Sequence, residues 1–524
     1  MLIAFGIGCL IRLVPLAISY PYPVGYDTIN YYLPNLYHFD SNWVNLVTEF
    51  PTYIATVYLF SLVFSADVYH SFLASNVLLY GFFSVTIYLL SNKILNQPLK
   101  VSLAFTVFVV FQLGALRISW DLFRDLFSLI MFNLFLLLIY YVDKKSSWNH
   151  FISILAIFSV SILTVFSDRM IGMLLIFVSF AFSLIYKQKY LFAINALFTF
   201  SFLFYFLTFD RITFFSANVN FLEMLLNPLY ERNTFSGLDI SVLFLSLYGV
   251  LVPFFAYGFL KTKLKDSVLI IKVPLLFTLF LSFTWVFVPN YGYLVPERWL
   301  LILGIYMSLI AIHGFFLIVD SSLGLKKKNK KARKGIVFLF LLLFVAYGSL
   351  FATMPYGVTF SLPSLFQEST GFIFPLSMLF NSLDIKDNLD MVRSIDWINS
   401  NTAKDFTIVG TKHWRGWFSL FLDQPRKYIF TESFVNPDNV VSSDEKGRLN
   451  FSYSLERNLT SYLCSALSSD NINSYPQTRH TYPPVYFIDY GDKAYGDDDS
   501  FLSKVEYKSK KFVIYDLSGH VCNS

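Results

Sequence analysis

The sequence predicts a polytopic α-helical membrane protein whose C-terminal part is an extracytoplasmic α/β domain. Hydrophobic residues make up 55% of the 524 positions and charged residues only 14%, with a mean hydropathy of +0.55. A soluble protein carries roughly a quarter charged residues, so this composition excludes a soluble enzyme with a large core. The apolar residues are grouped in long runs, and a polar, mixed composition follows from about residue 384.

About eleven apolar runs approach the roughly 20 residues that a helix needs to cross a bilayer. They cover residues 2–19, 68–91, 100–115, 124–142, 151–166, 170–186, 190–209, 240–260, 268–288, 299–319 and 336–353. The segment Pro51–Phe64 is also apolar, but its length of about 14 residues is typical of a helix lying at the membrane interface.

Lysines occur in alternate loops, and this alternation predicts the topology. The loops that follow every second run carry Lys93 and Lys100; Lys144 and Lys145; Lys187 and Lys189; Lys261, Lys263 and Lys265; and the run Lys326–Lys334. Loops rich in lysine face the cytoplasm, so we expect a plasma-membrane protein with a cytoplasmic N-terminus and an extracytoplasmic C-terminal domain. The run Lys326–Lys334 indicates an anchor beside anionic lipid rather than a nucleic-acid patch.

Three parts follow from this pattern. They are a transmembrane domain (1–353) with a first outer loop bearing interfacial helices (20–67), a membrane-proximal linker (354–383) and the extracytoplasmic domain (384–524). In the last part, periodicity predicts helices at Asn388–Asn399 and Trp414–Leu422, strands at Phe406–Gly410, Tyr428–Thr431 and Val485–Tyr490, and a hairpin of Val505–Tyr507 and Phe512–Tyr515. Sequons at Asn450 and Asn458 agree with an outside location. Cys464 and Cys522 are either a disulfide or two free thiols.

The charges of the predicted outer loops are few and lie at one height of the membrane. They are Asp27 in the first loop, Arg117, Asp121, Arg124 and Asp125 in the second, Asp168 and Arg169 in the third, and Glu297 and Arg298 in the fifth. Arg12 lies inside the first run, where an arginine costs about 2.5–3.5 kcal/mol and therefore needs a partner or a function. Structural alternatives stay open for several of them, and for Asp125 we favour a place in the first turn of a helix.

Carboxylates beside several arginines indicate one kind of chemistry. A carboxylate can take a proton from an acceptor or hold a divalent cation, and arginine binds phosphate oxygens and stabilises a departing phosphate. Nucleotide-activated sugars are made on the cytoplasmic side, so a transferase on the outer face would use a lipid-linked donor. The sequence has no GxxxxGK[ST] loop, which argues against an ATP-driven pump.

The chain resembles the GT-C superfamily of membrane glycosyltransferases, which use polyprenyl-phosphate-linked sugars. The resemblance covers most of the chain. It is to members of the oligosaccharyltransferase and protein mannosyltransferase type, and it implies a prokaryotic or archaeal protein. It is carried by Gly25-Tyr26-Asp27, the helix that begins Glu49-Phe-Pro-Thr-Tyr, the span ending Tyr88-Leu-Leu-Ser-Asn-Lys, the segment Arg117–Asp125, and a tail running from Trp397 to Trp417. It implies a GT-C-like fold.

The resemblance also implies roles for individual residues. Asp27 would be the catalytic base or a metal ligand, with Asp121 as the second acidic residue and Asp168 joining them if the enzyme depends on a metal. Donor-phosphate contacts would come from Arg12, Arg117, Arg169 and Arg298, and acceptor contacts from Trp414, Arg415 and Tyr31. The acceptor-reading motif of oligosaccharyltransferases contains an aspartate that is missing from His413-Trp-Arg-Gly-Trp. This difference speaks against protein N-glycosylation at sequons.

The expected function is therefore an inverting glycosyltransferase that moves a sugar from a polyprenyl-phosphate or polyprenyl-pyrophosphate donor to an extracytoplasmic glycan, lipid or protein acceptor. The alternatives are a transporter or flippase of lipid-linked glycans, a polymerase or ligase of surface polysaccharide, and a receptor or assembly scaffold. The cofactor is either none or a divalent cation, Mg or Mn. The sequence leaves the sugar, the acceptor and the oligomeric state open.

Overall fold

The computed structural model describes residues 1–25, 27–37, 39, 52–144, 150–209, 236–262, 266–288, 291–321, 330–353, 387–402, 407–411, 415–423, 427–431, 485–490, 505–510 and 512–516. Several predictions lie outside these residues. They concern the linker 354–383, Trp414, the sequons at Asn450 and Asn458, and the cysteines Cys464 and Cys522.

Helices fill the described chain up to residue 353. They are α1 (Leu2–Ser19), a π-helical turn (Thr28–Tyr32) continued by α2 (Leu33–Tyr37), α3 (Thr52–Phe64), α4 (Val68–Leu89), α5 (Leu99–Val110), α6 (Leu113–Asp121), α7 (Phe123–Lys144), α8 (His150–Val165), α9 (Arg169–Tyr186), α10 (Lys189–Phe209), α11 (Gly237–Tyr248), α12 (Val252–Lys261), α13 (Asp266–Ser282), α14 (Pro296–Ser321) and α15 (Lys330–Thr353). The segment predicted to lie at the interface forms α3.

The described residues have the composition of a multi-pass membrane protein. Six helical segments are long and apolar enough to cross a bilayer, and a seventh is obtained if one bent pair counts as a single span. Four shorter apolar helices also coincide with predicted runs, at Phe151–Val165, Tyr190–Phe200, Val268–Ser282 and Gly335–Leu350. The total of eleven spans stays a prediction.

The run 100–115 differs from the straight span that its composition predicts. Helix α5 ends at Val110, and α6 begins at Leu113 after a bend of 64°. At this bend, Gln112 caps α6: its side-chain oxygen accepts a hydrogen bond from the N–H of Ala115 at 3.2 Å. A polar side chain inside an apolar run thus caps a new helix, because the first N–H groups of a helix need an acceptor.

Helix α14 is the most buried of the long helices, with 78% of its apolar window inside the protein. It crosses α12 closely, since a Cβ on Gly314 would lie 2.0 Å from the Phe254 carbonyl oxygen and one on Gly258 2.4 Å from that of Ile310. Small residues allow such an approach of two backbones inside a membrane.

A buried polar network joins α14 to α7 and α4. The Tyr306 hydroxyl donates to the Asn133 side-chain oxygen at 3.0 Å, and the Asn133 amide donates to the Thr86 hydroxyl at 3.1 Å. Hydrogen bonds between apolar helices set their register.

The C-terminal residues form a mixed five-stranded sheet with the order β2-β1-β3-β5-β4. Its elements are α16 (Asn388–Asn401), β1 (Thr407–Thr411), α17 (Arg415–Phe421), β2 (Lys427–Thr431), β3 (Val485–Tyr490), β4 (Val505–Lys508) and β5 (Phe512–Asp516). Strand β1 pairs in parallel with β2 and β3, and β5 pairs antiparallel with β3 and β4. Each element lies within two residues of its predicted position.

The chain divides into two compact units. The helical unit contains Met1–Ile18 and His38–Phe380, and the sheet unit contains Ser19–Tyr37 and Asn381–Ser524. The segment Ser19–Tyr37 thus packs with the C-terminal residues, whereas the sequence groups it with the spans. The reason is Ile29, which is 1% exposed and belongs to the apolar core around the sheet.

Candidate functional site

In the helical unit, two carboxyl groups are buried where α7 and α9 begin. Asp125 lies in the first turn of α7 and is 5% exposed, and Asp168 precedes α9 and is 6% exposed. Asp168 caps α9 by accepting hydrogen bonds from the N–H groups of Met170 at 2.8 Å and Ile171 at 3.0 Å. The Asp125 carboxyl group lies close enough to Asp168 for the two to interact electrostatically.

Two arginines act on this carboxyl pair. Arg298 lies in the first turn of α14 and Arg124 in the first turn of α7, and both positive charges interact with the Asp125 carboxyl group. Three helix N-termini, of α7, α9 and α14, are therefore found beside the same groups. Helix N-termini carry partial positive charge and attract anions, so the dipoles add to the arginines. The arrangement is suited to bind a phosphate.

Arg12 is held inside the helical unit, with 1% of its surface exposed. Its Nη2 donates to the carbonyl oxygen of Trp120 at 3.1 Å. The guanidinium carbon lies 5.4 Å from the centre of the Trp120 ring and 5.3 Å from that of Phe123. A carbonyl oxygen and two aromatic faces thus stabilise a cation in apolar surroundings. This arrangement supplies the partner that an arginine in α1 needs, and its contact with a donor phosphate stays a prediction.

The other predicted phosphate contacts differ in exposure. Arg117 is buried in α6, at 8% exposed, whereas the Arg169 side chain in the first turn of α9 is exposed. Asp121 ends α6, and its side chain lies outside the described residues. Of the predicted arginines, Arg298 interacts electrostatically with the buried Asp125.

Tyr291 adds a polar group near the start of α14 that sequence reasoning missed. It lies in the short helical turn Tyr291–Leu294 and is 1% exposed. Burial, with further contributions from the negative charges of Asp239 and Glu297, raises the pKa of Tyr291 to about 12. Its hydroxyl therefore keeps its proton at physiological pH and can donate a hydrogen bond. Its place before Glu297-Arg298 is the one signal that the sequence offers.

Asp27 and Tyr31 belong to the sheet unit. Asp27 stands at the start of the π-helical turn Thr28–Tyr32, and its side chain is partly buried. Gly25 precedes it with φ at 101°, a backbone conformation that favours glycine. The ring of Tyr31 meets that of Tyr32 edge to face, with centroids 5.1 Å apart. Asp27 therefore stands at the start of a helical turn, two positions after a glycine in a left-handed conformation.

The predicted acceptor and metal residues are described only in part. Arg415 begins α17, but its side chain lies outside the described residues, as does all of Trp414. Within the part of the chain that the structure describes, no three His, Cys, Asp or Glu side chains are grouped so that they could hold a metal ion. Because the Asp121 side chain is outside that part, the metal set Asp27, Asp121 and Asp168 stays a prediction.

Comparisons with known proteins give structural neighbours only. No family model matches the chain, and no curated protein matches its sequence. The crystal structure of ArnT from Cupriavidus metallidurans bound to undecaprenyl phosphate has a TM-score of 0.47 and 10% identity, covering 98% of this chain and 97% of that chain. ArnT from the same organism in the apo state has a TM-score of 0.46 and 11% identity, covering 98% of each chain.

Proposed function

We propose that this protein is an inverting glycosyltransferase that moves a sugar from a polyprenyl-phosphate or polyprenyl-pyrophosphate donor to an extracytoplasmic acceptor. One observation carries the proposal. Arg298 and Arg124 lie beside the buried pair Asp125–Asp168 at the point where three apolar helices begin. Two guanidinium groups and the positive ends of helix dipoles favour an anion that is attached to an apolar tail, which describes a polyprenyl phosphate.

The proposed reaction is a single displacement. Asp27 takes the proton from the acceptor hydroxyl, whose oxygen attacks the anomeric carbon of the donor sugar. The bond between that carbon and the phosphate oxygen breaks, and its electron pair leaves with the polyprenyl phosphate. Arg298 and Arg124 stabilise the negative charge that develops on the leaving phosphate. One displacement inverts the anomeric configuration.

The carboxyl pair has a separate role in this proposal. A phosphate placed beside two unshielded carboxylates would be repelled, whereas the guanidinium groups of Arg298 and Arg124 act on Asp125 from nearby. Asp168 also occupies the N-terminal N–H groups of α9. We therefore assign to Asp125 and Asp168 the role of orienting the arginines. We assign the donor phosphate to the N-terminal ends of α7 and α14.

Lysine positions support an extracytoplasmic site. The three helices that begin at the carboxyl pair end close to the predicted cytoplasmic lysines: α7 at Lys144, α9 just before Lys187, and α14 shortly before the run Lys326–Lys334. Helix α7 has 22 residues, and at a rise of about 1.5 Å per residue such a helix spans a bilayer core. Lysine-rich ends face the cytoplasm, so the helix beginnings face outward.

The test uses the purified full-length protein in lipid nanodiscs and a panel of undecaprenyl-phosphate-linked sugars. The release of undecaprenyl phosphate is measured with crude membrane-derived glycans, lipids and proteins as acceptors. We expect Asp27→Asn to lower kcat by roughly 10²–10⁴-fold, the usual contribution of a general base. Asp423→Asn, an exposed carboxylate of the sheet unit, should behave as the wild type.

Two results would overturn the proposal. If Asp27→Asn retains wild-type release, Asp27 is not the base. If the wild-type protein moves the intact donor across a vesicle membrane and releases no undecaprenyl phosphate, it is a flippase.

A further inference from the structure

Within the sheet unit, a long-range hydrogen bond joins the turn that carries Asp27 to α17. The Asn30 side-chain oxygen accepts from the backbone N–H of Gly416 at 2.8 Å, across 386 positions of sequence. Gly416 lies in the first turn of α17, where the backbone N–H groups have no acceptor within their own helix. Asn30 therefore does for α17 what an N-cap residue does, but from a distant segment.

An apolar contact holds the same turn from its other side. Ile29 is 1% exposed and packs in one core with Trp417, Phe418 and Ile395. The backbones approach so closely that a Cβ added to Gly416 would lie 2.2 Å from the Ile29 carbonyl oxygen. Only glycine fits there without displacing one of the two segments. Close packing and a hydrogen bond thus fix the two residues that follow Asp27 and Thr28.

A backbone hydrogen bond also links Ile29 to Gly25. The N–H of Ile29 bonds to the carbonyl oxygen of Gly25 at 3.4 Å, so Asp27 lies within a closed turn. A carboxylate inside such a turn follows the position of Ile29 and Asn30. Its own side chain is only partly buried, so its placement depends on the backbone that carries it.

We infer that Ile29, Asn30 and Gly416 are positioning residues that hold Asp27 for proton abstraction, and that positioning this carboxylate is a function of the sheet unit. The inference rests on the proposed function, in which Asp27 is the base. It goes beyond that proposal because it assigns a role in the reaction to Gly416 on α17 and to its two contacts, Ile29 and Asn30. A base displaced by about 1 Å can lose on the order of 10²-fold in rate.

The experiment compares Asn30→Ala, Asn30→Asp and Gly416→Ala in the full-length protein in nanodiscs. Asn30→Asp keeps the acceptor oxygen in the same place. Asn401→Ala is the matched control, since Asn401 is an exposed asparagine of the same unit with a local hydrogen bond to the Trp397 carbonyl oxygen. The readouts are kcat and KM for release of undecaprenyl phosphate, and hydrogen–deuterium exchange of the peptide covering residues 27–33.

We expect Asn30→Ala and Gly416→Ala to lower kcat by roughly 10–10²-fold with KM nearly unchanged. Exchange over 27–33 should become faster in both. Asn30→Asp should recover most of kcat, and the control should match the wild type. Should Asn30→Ala not purify as a folded protein, Asn30→Ser, with a shorter acceptor side chain, gives the same comparison.

The inference is overturned if Asn30→Ala and Gly416→Ala keep wild-type kcat while Asp27→Asn is inactive. It is also overturned if kcat falls equally for Asn30→Asp, since the acceptor oxygen would then be irrelevant. An active Asp27→Asn instead refutes the proposed function itself. The two failures are therefore told apart by one variant.

Discussion

The helical unit and the sheet unit present their functional groups in different ways. In the helical unit, the buried carboxyl groups Asp125 and Asp168 and the half-buried Arg298 and Arg124 lie at the starts of three helices, and their charges interact. In the sheet unit, Asp27 is a partly buried carboxylate on a turn. That turn is fixed by the apolar contact of Ile29 and by a cap.

This difference indicates a division of labour. Mutually compensated charges suit a site that must receive an anion without a large change in local charge. A partly buried carboxylate on a packed turn suits a group whose position is set by the backbone that carries it. If the two units are built by independent interactions, a change in one should leave the other intact. The following predictions examine that independence, from the largest expected effect to the smallest.

The largest effect is expected from Ile29→Ala. Removing a buried isoleucine side chain leaves a cavity and costs roughly 2–5 kcal/mol in the stability of the surrounding unit. Hydrogen–deuterium exchange should rise in β5 and α16, and exchange in α7 and α14 should stay as it is. Leu389→Ala, at an exposed position of α16 with 42% of its surface accessible, is the control. An equal rise in exchange in both units would show that the two units are not built independently.

Arg298→Ala should act on the helical unit alone. A hydrogen bond to a charged group contributes about 1.5–3 kcal/mol, so the Kd for undecaprenyl phosphate should rise by roughly 10–10²-fold. Asp27→Asn should leave that Kd unchanged. Arg393→Ala removes an exposed arginine from α16 and serves as the control. Isothermal titration in nanodiscs measures this binding. An unaltered Kd for Arg298→Ala would show that the phosphate does not bind at the N-terminal end of α14.

Asp168 permits a test of capping against charge. Asp168→Ala removes the acceptor for the N–H groups of Met170 and Ile171 and should cost about 0.5–2 kcal/mol. Asp168→Asn keeps an acceptor oxygen for these two N–H groups, so its cost should be smaller. Thermal unfolding in detergent measures both. A larger loss for Asn than for Ala would mean that the negative charge of Asp168, rather than its cap, stabilises the helical unit.

The smallest effect is expected in the middle of the helical unit. Tyr306→Phe removes the hydroxyl that donates to Asn133, and buried hydrogen bonds between membrane helices contribute about 0.6 kcal/mol on average. A double-mutant cycle with Thr86→Val, at the other end of the same network, measures the coupling through Asn133. Strict additivity of the two losses would show that the three side chains do not act as one network.

Individual residues show how far sequence reasoning reached at the site. Asp125 lies in the first turn of a helix, as its position in the sequence predicts. Its electrostatic interactions with Asp168 and Arg298 were not predicted. Neither partner is near it in sequence, and no spacing rule connects residues on three separate helices. The cap that Asn30 provides for Gly416 was missed for the same reason.

The sequence by itself determined the helices, the strands and the class of protein. It did so through local patterns, namely the apolar runs, the alternating lysines and the period of the C-terminal strands. Local patterns suffice because secondary structure depends on neighbours within a few positions. The bend at Gln112, the meeting of Asp125, Asp168 and Arg298, and the attachment of Asp27 to the sheet unit were decided only by the tertiary structure. Each depends on which distant surfaces pack together, and burial and close approach between distant segments are properties of the folded chain.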